Sequence, residues 1–305
     1  MTTTLLSRTS TAFWALLDPW AFLSLSASYI PQTIRHLGGL AAALRRPSGF
    51  RAAWFAQFWA AVGPATRDFL RPTVLALLDG RVARGRVLDA PAHEGVGGVV
   101  LEIGAGAGLW VDVFAEGHGD GGESAGGRTT ARGKITRIYG IEPNAAHHGA
   151  LSAAVKAAGL EDVYEIVPVG IEDLSSAFAA DGSGGGGKKW DGDIAPGSVD
   201  CIVSVLCLCS IPEPERHVRE LYQLLRPGGR WYVYEHVLSE YSWYMRAYQR
   251  VINLVWPHLI GGCELCRQTG KSLREAGPWT SIDLQQPVTE QWHHCVPHIQ
   301  GVLTK

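Results

Sequence analysis

Short apolar segments alternate with amphipathic segments through the middle of the chain, and this alternation predicts strands and helices in turn. Four apolar runs predict buried strands, at residues 99–103, 134–144, 163–174 and 198–211. Residues 145–158 have the spacing of a helix, and residues 212–237 supply a second helix, a turn at 227–229 and a fifth strand. Strands that alternate with helices predict a mainly parallel, doubly wound α/β sheet.

The first 95 residues have a different pattern. Residues 12–30 are the most apolar long stretch of the chain, and the aromatic residues of segment 50–82 follow the i, i+3, i+4 spacing of a helix. We therefore predict an N-terminal helical region over residues 1–95, acting as a lid or an anchor, and a second domain over residues 96–305. Glycine-rich tracts at 117–133 and 181–189 predict flexible surface insertions in the second domain.

The apolar stretch 12–30 raises the question of membrane contact. A membrane-spanning helix needs about 20 apolar residues. Asp18 and Pro19 lie near the middle of this stretch, where an aspartate costs roughly 2.5–3.5 kcal/mol and a proline breaks or kinks a helix. Trp14, Trp20 and Phe22 are residue types found at the level of lipid headgroups. Helices packed over the core are the main prediction, an interfacial membrane helix is the second, and a single membrane span is the third.

Composition narrows the class of protein. Of the 305 residues 46% are hydrophobic and 18% charged, which excludes a disordered chain. A formal net charge of −2 provides no field that would attract nucleic acid. Three of the six cysteines lie in or beside the apolar run 200–211, and the N-terminal residues lack the pattern of a secretory signal. We therefore expect free thiols and an intracellular protein, either cytoplasmic or peripherally attached to a membrane.

A glycine-rich turn follows the first predicted strand of the sheet. Gly104, Gly106 and Gly108 lie between that strand and a helix, where they let the backbone turn sharply and approach a ligand closely. Glu142 ends the second strand, a position from which a carboxylate accepts hydrogen bonds from ribose hydroxyls. The interval between turn and acid exceeds the usual value of about 20 residues, and the tract 117–133 accounts for the excess. The sequence thus predicts a site for a nucleoside-containing cofactor.

Several ligand classes fit a Rossmann-like sheet. P-loop spacing is absent before both Gly133-Lys134 and Gly270-Lys271, which disfavours an NTPase. Dinucleotide sites have the spacing GxGxxG, but here Leu109 occupies the position of its third glycine. A nicotinamide-dependent oxidoreductase stays open as an alternative enzyme, and a non-catalytic binding or scaffold protein as a third class.

Five segments in order resemble the motifs of class I S-adenosylmethionine-dependent methyltransferases. They are LEIGAGAG (101–108), YGIEPN (139–144), GIEDL (170–174), SVDCIVSVLCLCSIPEPE (198–215) and LLRPGGRWYVYEHV (224–237). With residues 248–284 and 297–305, the chain is similar to the membrane-associated alkyl-thiol methyltransferases of animals and to related fungal proteins. The resemblance implies S-adenosylmethionine as the cofactor and a Rossmann-like sheet of seven strands with an antiparallel last strand.

The resemblance also implies roles for single residues in cofactor binding. Glu102 and Gly104 would face the methionine moiety, Gly106 and Gly108 would shape the turn, and Glu142 would hold the ribose. Around the adenine would lie Pro143, Asn144, Glu172 and Asp173, with Asp173 as partner of the amino group. Leu206 and Cys207 would line the sulfonium and substrate side.

The acceptor side is less determined by the sequence. His236, at the end of the fifth strand, is the candidate base for deprotonating an acceptor, although it equally fits a packing role, and Glu235 beside it would orient the ring or face solvent. Cys263 and Cys266 form one CxxC pair near His258, His293, His294 and Cys295. Without a second pair at matching spacing we expect free cysteines and no metal. The predicted reaction is methyl transfer to a small, mostly apolar acceptor, with a thiol first and a hydroxyl or an amine open.

Overall fold

The computed structural model of the protein describes residues 2–116, 135–181, 190–240 and 242–305. The predicted insertion 117–133 lies outside these residues, as does all but the first residue of 181–189. The chain begins with helices α1 (Thr2–Ser28), α2 (Ile30–His36), α3 (Leu40–Arg45) and α4 (Pro47–Leu78), followed by the short antiparallel strands β1 (Val82–Ala83) and β2 (Arg86–Val87).

Strands and helices then alternate, as the apolar pattern predicts. In chain order they are β3 (Gly98–Ile103), α5 (Val111–Ala115), β4 (Ile135–Ile141), α6 (Ala145–Ala158), β5 (Tyr164–Val167), β6 (Val199–Val205), α7 (Pro214–Leu224) and β7 (Leu225–His236). The last elements are α8 (Trp243–Asn253), α9 (Trp256–Leu259), α10 (Thr269–Arg274), β8 (Ser281–Gln285) and β9 (His298–Thr304).

Seven of these strands form one sheet in the order β5-β4-β3-β6-β7-β9-β8. The pairs among β3 to β7 are parallel, and β9 lies antiparallel between β7 and β8. The prediction of a Rossmann-like, doubly wound α/β sheet with an antiparallel last strand and N-terminal helices is therefore confirmed.

Several predicted boundaries differ from the structure: the run 198–211, for example, forms a strand only over Val199–Val205. Two further differences have local reasons. The run 163–174 forms a strand only to Val167, because Pro168 has no N–H to donate to the ladder, and residues 171–173 form a short 3₁₀ helix. The predicted turn at 227–229 lies inside β7 as an irregularity, where pairing passes from Val199–Leu225 to Cys201–Arg230. Both differences leave the order of the strands unchanged.

The N-terminal helices share the hydrophobic core of the sheet. Leu70, Val74, Leu77 and Leu78 of α4 are buried in the same cluster as side chains of β3 and β6. A separate apolar cluster joins α1, α4 and α9 around Phe58. The division of the chain at residues 95 and 96 stays a prediction.

Helix α1 continues through Pro19, so the predicted break at this residue is wrong. Proline cannot donate to the carbonyl four residues earlier, which is that of Ala15. The Cys295 thiol lies 3.3 Å from this carbonyl oxygen and donates to it instead. A tertiary contact therefore satisfies the acceptor that the proline leaves open. Within the described parts of the chain, every helix is too short or too polar to cross a bilayer.

Candidate active site

A cavity of about 700 Å³ opens where the parallel strands end. Residues that directly follow β3, β4 and β6 line one side of it, and α1, α4 and α9 line the other. The carboxyl ends of parallel strands are where open α/β sheets bind their ligands. The cavity thus joins the predicted cofactor residues to the N-terminal helices.

The glycine turn after β3 has a conformation that only glycine adopts without strain. Gly104 has φ +72° and Gly108 has φ +83°. A Cβ atom on Gly104 would lie 2.6 Å from Cβ of Cys207, and one on Gly108 would lie 2.6 Å from Cβ of Ala154 in α6. Gly104 and Gly106 line the cavity, and Gly108 lies behind them against α6. The turn therefore presents bare backbone to the cavity.

Glu142 connects this turn to the end of β4. Its Oε2 accepts a hydrogen bond from the Gly106 N–H at 2.8 Å, and its Oε1 accepts one from the Asn144 N–H at 2.7 Å. The side chain is buried and lines the cavity beside Pro143 and His147. An ionised carboxylate has about four acceptor positions, so both oxygens keep capacity for ligand hydroxyls. The bare glycine turn and this carboxylate fit the nucleoside and amino-acid parts of S-adenosylmethionine.

Five predicted cofactor residues lie outside the lining of the cavity: Gly108, which packs against α6, and Glu102, Asn144, Glu172 and Asp173. Asn144 is the N-cap of α6, where its side chain accepts the Ala146 N–H at 3.1 Å. Glu172 is exposed, 4.0 Å from Nε2 of His217, and Asp173 follows it in the 3₁₀ helix. Their proposed places around the adenine stay predictions.

The Glu102 side chain is buried against a face of the sheet and does not line the cavity. Its carboxylate accepts a hydrogen bond from the hydroxyl of Tyr164 on β5. Burial raises the pKa of Glu102 to about 7, although the tyrosine hydrogen bond acts in the opposite direction. The structure thus gives this residue a partner that the motif alone did not indicate, and its contact with the methionine moiety stays a prediction.

Leu206 and Cys207 follow β6 and line the cavity. Their predicted place beside the sulfonium stays a prediction. Leu206 has φ +55°, a left-handed conformation that is strained for leucine. Oε1 of Glu235 holds this turn, because it accepts the backbone N–H groups of Cys207 at 3.1 Å and Leu208 at 3.2 Å. Glu235 is completely buried and does not face solvent. It does not orient the His236 ring through a hydrogen bond either, because Nδ1 of His236 has no hydrogen-bond partner and Nε2 lies against Cys263.

His236 meets two cysteines at the floor of the cavity. Its Nε2 lies 3.2 Å from Sγ of Cys263, and the side-chain donor atoms of Cys209, His236 and Cys263 all lie within 4.8 Å of one another. All three side chains are buried and line the cavity. We call these three residues the Cys-His-Cys cluster.

Electrostatics within the cluster favour a thiolate on Cys209. A hydrogen bond from the Cys263 thiol and the neighbouring His236 lower the pKa of Cys209, and burial raises the pKa of Cys263. Burial acts to lower the pKa of His236, but the Cys209 thiolate outweighs this effect and raises it. Cys209 is therefore the thiol of the cluster that loses its proton more readily.

The sequence did not reveal this cluster. It paired Cys263 with Cys266, but Cys266 lies outside the cavity lining and Cys209 takes its place. Cys209, His236 and Cys263 come from three separate segments, each 27 positions from the next. The only signal was that His236 ends β7 and Cys209 lies in the turn after the neighbouring parallel strand β6, and the carboxyl ends of these strands meet at one edge.

The wall that adjoins the cluster is apolar and aromatic. Phe22 of α1, Phe55 and Trp59 of α4, and Trp256 and Ile260 near α9 line it. The rings of Phe22 and Trp256 stack with their centroids 5.7 Å apart. This end of the cavity suits a small apolar molecule.

A sheet of this order, with a glycine turn and an acidic residue meeting at its carboxyl edge, defines a Rossmann-like cofactor-binding protein. The family model described as a methyltransferase domain, Methyltransf_23, matches residues 74–281. The chain belongs to this methyltransferase-domain family.

Relatives include two human enzymes. Thiol S-methyltransferase TMT1A is 39% identical over 113 residues, which are 37% of this chain and 46% of the human protein. Thiol S-methyltransferase TMT1B is 36% identical over a segment of the same length and the same shares. The matched segment thus spans less than half of these relatives.

Two solved structures are similar at low sequence identity. Geranyl diphosphate methyltransferase in complex with SAM is 12% identical and has a TM-score of 0.46, with 84% of this chain and 90% of that chain covered. The apo form of the S-adenosylmethionine-dependent methyltransferase SibL is 16% identical and has a TM-score of 0.47, with 98% and 76% covered.

Proposed function

We propose that this protein transfers a methyl group from S-adenosylmethionine to the sulfur of a small, apolar thiol. The observation that carries the proposal is one continuous cavity, which joins the glycine turn and Glu142 to the Cys-His-Cys cluster and the aromatic wall. Relatives named as thiol S-methyltransferases support the choice of a thiol. A hydroxyl or an amine acceptor is the alternative.

One end of the cavity binds the cofactor, and the other end binds the acceptor. The glycine turn and Glu142 hold the cofactor, which when bound supplies an electrophilic methyl group on a sulfonium. Leu206 and Cys207 separate the two ends, and the aromatic wall excludes water from the acceptor. Positioning an acceptor in line with the reacting group and excluding water account for much of the rate in such a transfer.

The acceptor must also lose its proton. The sequence assigned this step to His236, and its ring does line the cavity. Because Nε2 of His236 already lies against Cys263, we propose that the whole cluster receives the acceptor and removes its proton.

Calorimetry and a matched set of acceptors test the proposal. Purified protein is titrated with S-adenosylmethionine, S-adenosylhomocysteine and NADH, and methylation is then assayed with hexanethiol, hexanol and hexylamine. We expect the first two cofactors to bind, NADH not to bind, and only hexanethiol to be methylated. NADH binding alone would instead favour an oxidoreductase.

A pair of variants tests the cofactor end separately. Glu142→Gln removes the charge that accepts ribose hydroxyls, and hydrogen bonds to a charged group contribute about 1.5–3 kcal/mol. We expect S-adenosylhomocysteine to bind about 10–100-fold more weakly. Glu161→Gln, an exposed carboxylate just after α6, is the control and should bind normally. Equal affinity of both variants would remove Glu142 from the site.

We also propose that residues 12–30 contact a membrane surface. Trp14 is 62% exposed, and Leu17 and Leu25 of α1 are exposed as well. Trp243 at the start of α8 and Leu254 just after its end are each 74% exposed. Exposed aromatic and aliphatic side chains of this kind insert into the headgroup region of a bilayer.

Flotation with phosphatidylcholine vesicles tests this contact. The wild type should float with the vesicles, and the double variant Trp14→Ser/Leu25→Ser should float several-fold less. Phe69→Ser, which removes an exposed aromatic side chain of α4 outside residues 12–30, is the control. Equal flotation of the double variant and the wild type would exclude this stretch as the contact.

A further inference from the structure

We propose that Cys209, His236 and Cys263 bind one zinc ion, whose fourth coordination position faces the cavity and receives the sulfur of the acceptor thiol. The inference rests on the proposed function, because it assigns how the acceptor is recognised. It departs from the sequence-based expectation of no metal.

The spacing of the three donor atoms fits tetrahedral zinc. With Zn–S near 2.3 Å and Zn–N near 2.0–2.1 Å, tetrahedral ligands lie about 3.8 Å apart for S and S and about 3.6 Å apart for S and N. In the cluster Nε2 of His236 lies 3.2 Å from Sγ of Cys263, and no pair of donor atoms exceeds 4.8 Å. One ion reaches all three donors with small shifts of the side chains.

The number and type of donors indicate an open site. Structural zinc sites have four protein ligands, whereas sites that act on a small molecule have three and leave the fourth position free. Two thiolates and one imidazole are such a set. Among the described residues, no fourth His, Cys, Asp or Glu side chain joins this group. All three residues line the cavity, so the free position faces the space in which an acceptor would lie.

The charges of the three donors suit a zinc ion. Two thiolates and a neutral imidazole around a divalent ion carry no net charge, whereas a buried thiolate alone is costly. The sulfur atoms also have neighbours that support negative charge: Nε1 of Trp256 donates to Sγ of Cys263 at 3.0 Å, and Oγ of Ser210 lies 3.4 Å from Sγ of Cys209. Hydrogen-bond donors around metal-bound sulfur tune such sites.

A thiol is the acceptor that this site selects. When a thiol binds, its S–H bond breaks, the electron pair stays on sulfur and forms the bond to zinc, and the proton passes to solvent. The ion deprotonates a coordinating thiol outright, so His236 acts as a ligand and not as a base. The resulting thiolate leaves the site with one net negative charge, opposite to the positive sulfonium that the other end of the cavity would hold.

Metal analysis of purified full-length protein is the first test. After untagged purification in a phosphine reductant with zinc supplied, we expect about one zinc ion per chain. Cys209→Ser and Cys263→Ser should each lose it, and Cys266→Ser, from the same segment but outside the cavity, should keep it. Retained affinity for S-adenosylhomocysteine shows that each variant is folded. Equal zinc content in the wild type and the two cluster variants would overturn the proposal.

Cobalt substitution tests the fourth position without any turnover. Co²⁺ bound to the wild type should give a thiolate charge-transfer band, and hexanethiol should shift and intensify it because a further sulfur joins the ion. Hexanol, of the same chain length, should leave the band unchanged. A band insensitive to hexanethiol would remove the acceptor from the metal.

Two other outcomes separate this inference from the proposed function. A protein that methylates hexanethiol with no bound metal contradicts the zinc site and leaves the proposed function intact. A disulfide between Cys209 and Cys263, seen as a mass two daltons lower without reductant and persisting when zinc is supplied with reductant, also contradicts it. Bound zinc with no affinity for S-adenosylhomocysteine contradicts the proposed function instead.

Discussion

Glu102 shows how a motif position acquires a role that its motif does not specify. Side chains alternate between the two faces of the sheet along β3. This alternation places the Glu102 carboxyl on a buried face, where the Tyr164 hydroxyl donates to it. Its pKa is raised to about 7 from an ordinary 4.5, chiefly by burial. The native state therefore holds a proton that the unfolded chain releases between these two pH values.

This difference predicts the pH dependence of stability. Because the native state binds more protons than the unfolded state between pH 4.5 and about 7, the contribution of Glu102 to the free energy of unfolding falls as pH rises through this window. Glu102→Gln keeps the shape and an acceptor for Tyr164 but does not titrate. From pH 5 to pH 8 the wild type should lose up to about 3 kcal/mol relative to this variant.

Urea unfolding of both proteins at several pH values, with reductant present, measures this difference. Glu161→Gln, an exposed carboxylate, should give a curve parallel to that of the wild type. A constant difference between wild type and Glu102→Gln across the pH range would show that Glu102 does not titrate in the native state near pH 7.

The cluster illustrates what a sequence shows at the residue level and what it does not. Glu142, at the end of a strand of recognisable pattern, lines the cavity, as do Leu206 and Cys207, whose roles the family resemblance implied. Cys209 lies two residues further into a turn, and Cys263 lies in an irregular segment far along the chain. Their approach to His236 depends on packing of separate segments, which local patterns do not encode.

At the scale of elements, α4 is tied to the glycine turn by arginine side chains. Nε of Arg67 donates to the carbonyl oxygen of Leu109 at 2.9 Å, and its guanidinium pairs with Asp112 at the start of α5. Arg71 lies 3.3 Å from the same carboxylate. The long helix therefore fixes the end of the turn that faces the cofactor side of the cavity.

Arg67→Met tests this connection. The methionine keeps the apolar stem but loses the hydrogen bond and the ion pair, and we expect the free energy of unfolding to fall by about 1–3 kcal/mol. Affinity for S-adenosylhomocysteine should fall as well, because the turn loses a support. Arg51→Met, on the same helix but exposed, is the control and should change neither quantity. Equal stability of both variants would contradict a role for Arg67 in holding the turn.

Elements whose hydrophobic residues repeat regularly along the sequence were predicted well, and elements fixed by tertiary contacts were not. The helix 145–158 matches α6 to the residue, because Asn144 caps its start and Gly159 ends it in a left-handed conformation. The continuity of α1 through Pro19 depends on Cys295, a residue 276 positions later in the chain. No local pattern contains that contact.

At the scale of the whole molecule, one cavity has two walls of different origin. The sheet supplies the wall on the cofactor side, and the N-terminal helices together with residues in and near α9 supply the apolar wall. A ligand that fills the acceptor end therefore touches both parts of the chain at once.

Hydrogen exchange should detect this shared cavity. We expect S-adenosylhomocysteine to slow exchange at residues 104–110 and 142–147, and hexyl methyl sulfide, added afterwards, to slow it at 15–22 and 256–263. Residues 82–87, in the β1–β2 pair away from the cavity, should exchange at the same rate throughout. Unchanged exchange in α1 with the sulfide present would show that the N-terminal helices do not close over the acceptor.

The place of β9 in the sheet has a consequence for synthesis on the ribosome. Strand β8 pairs with β9 and with no other strand of the described chain, yet β9 is translated after it. When β8 leaves the exit tunnel, the surface that will hold it does not yet exist, whereas β3 to β7 already have their parallel neighbours. Strand β8 therefore enters the sheet only together with β9 or after it, once all the other strands of the sheet have been translated.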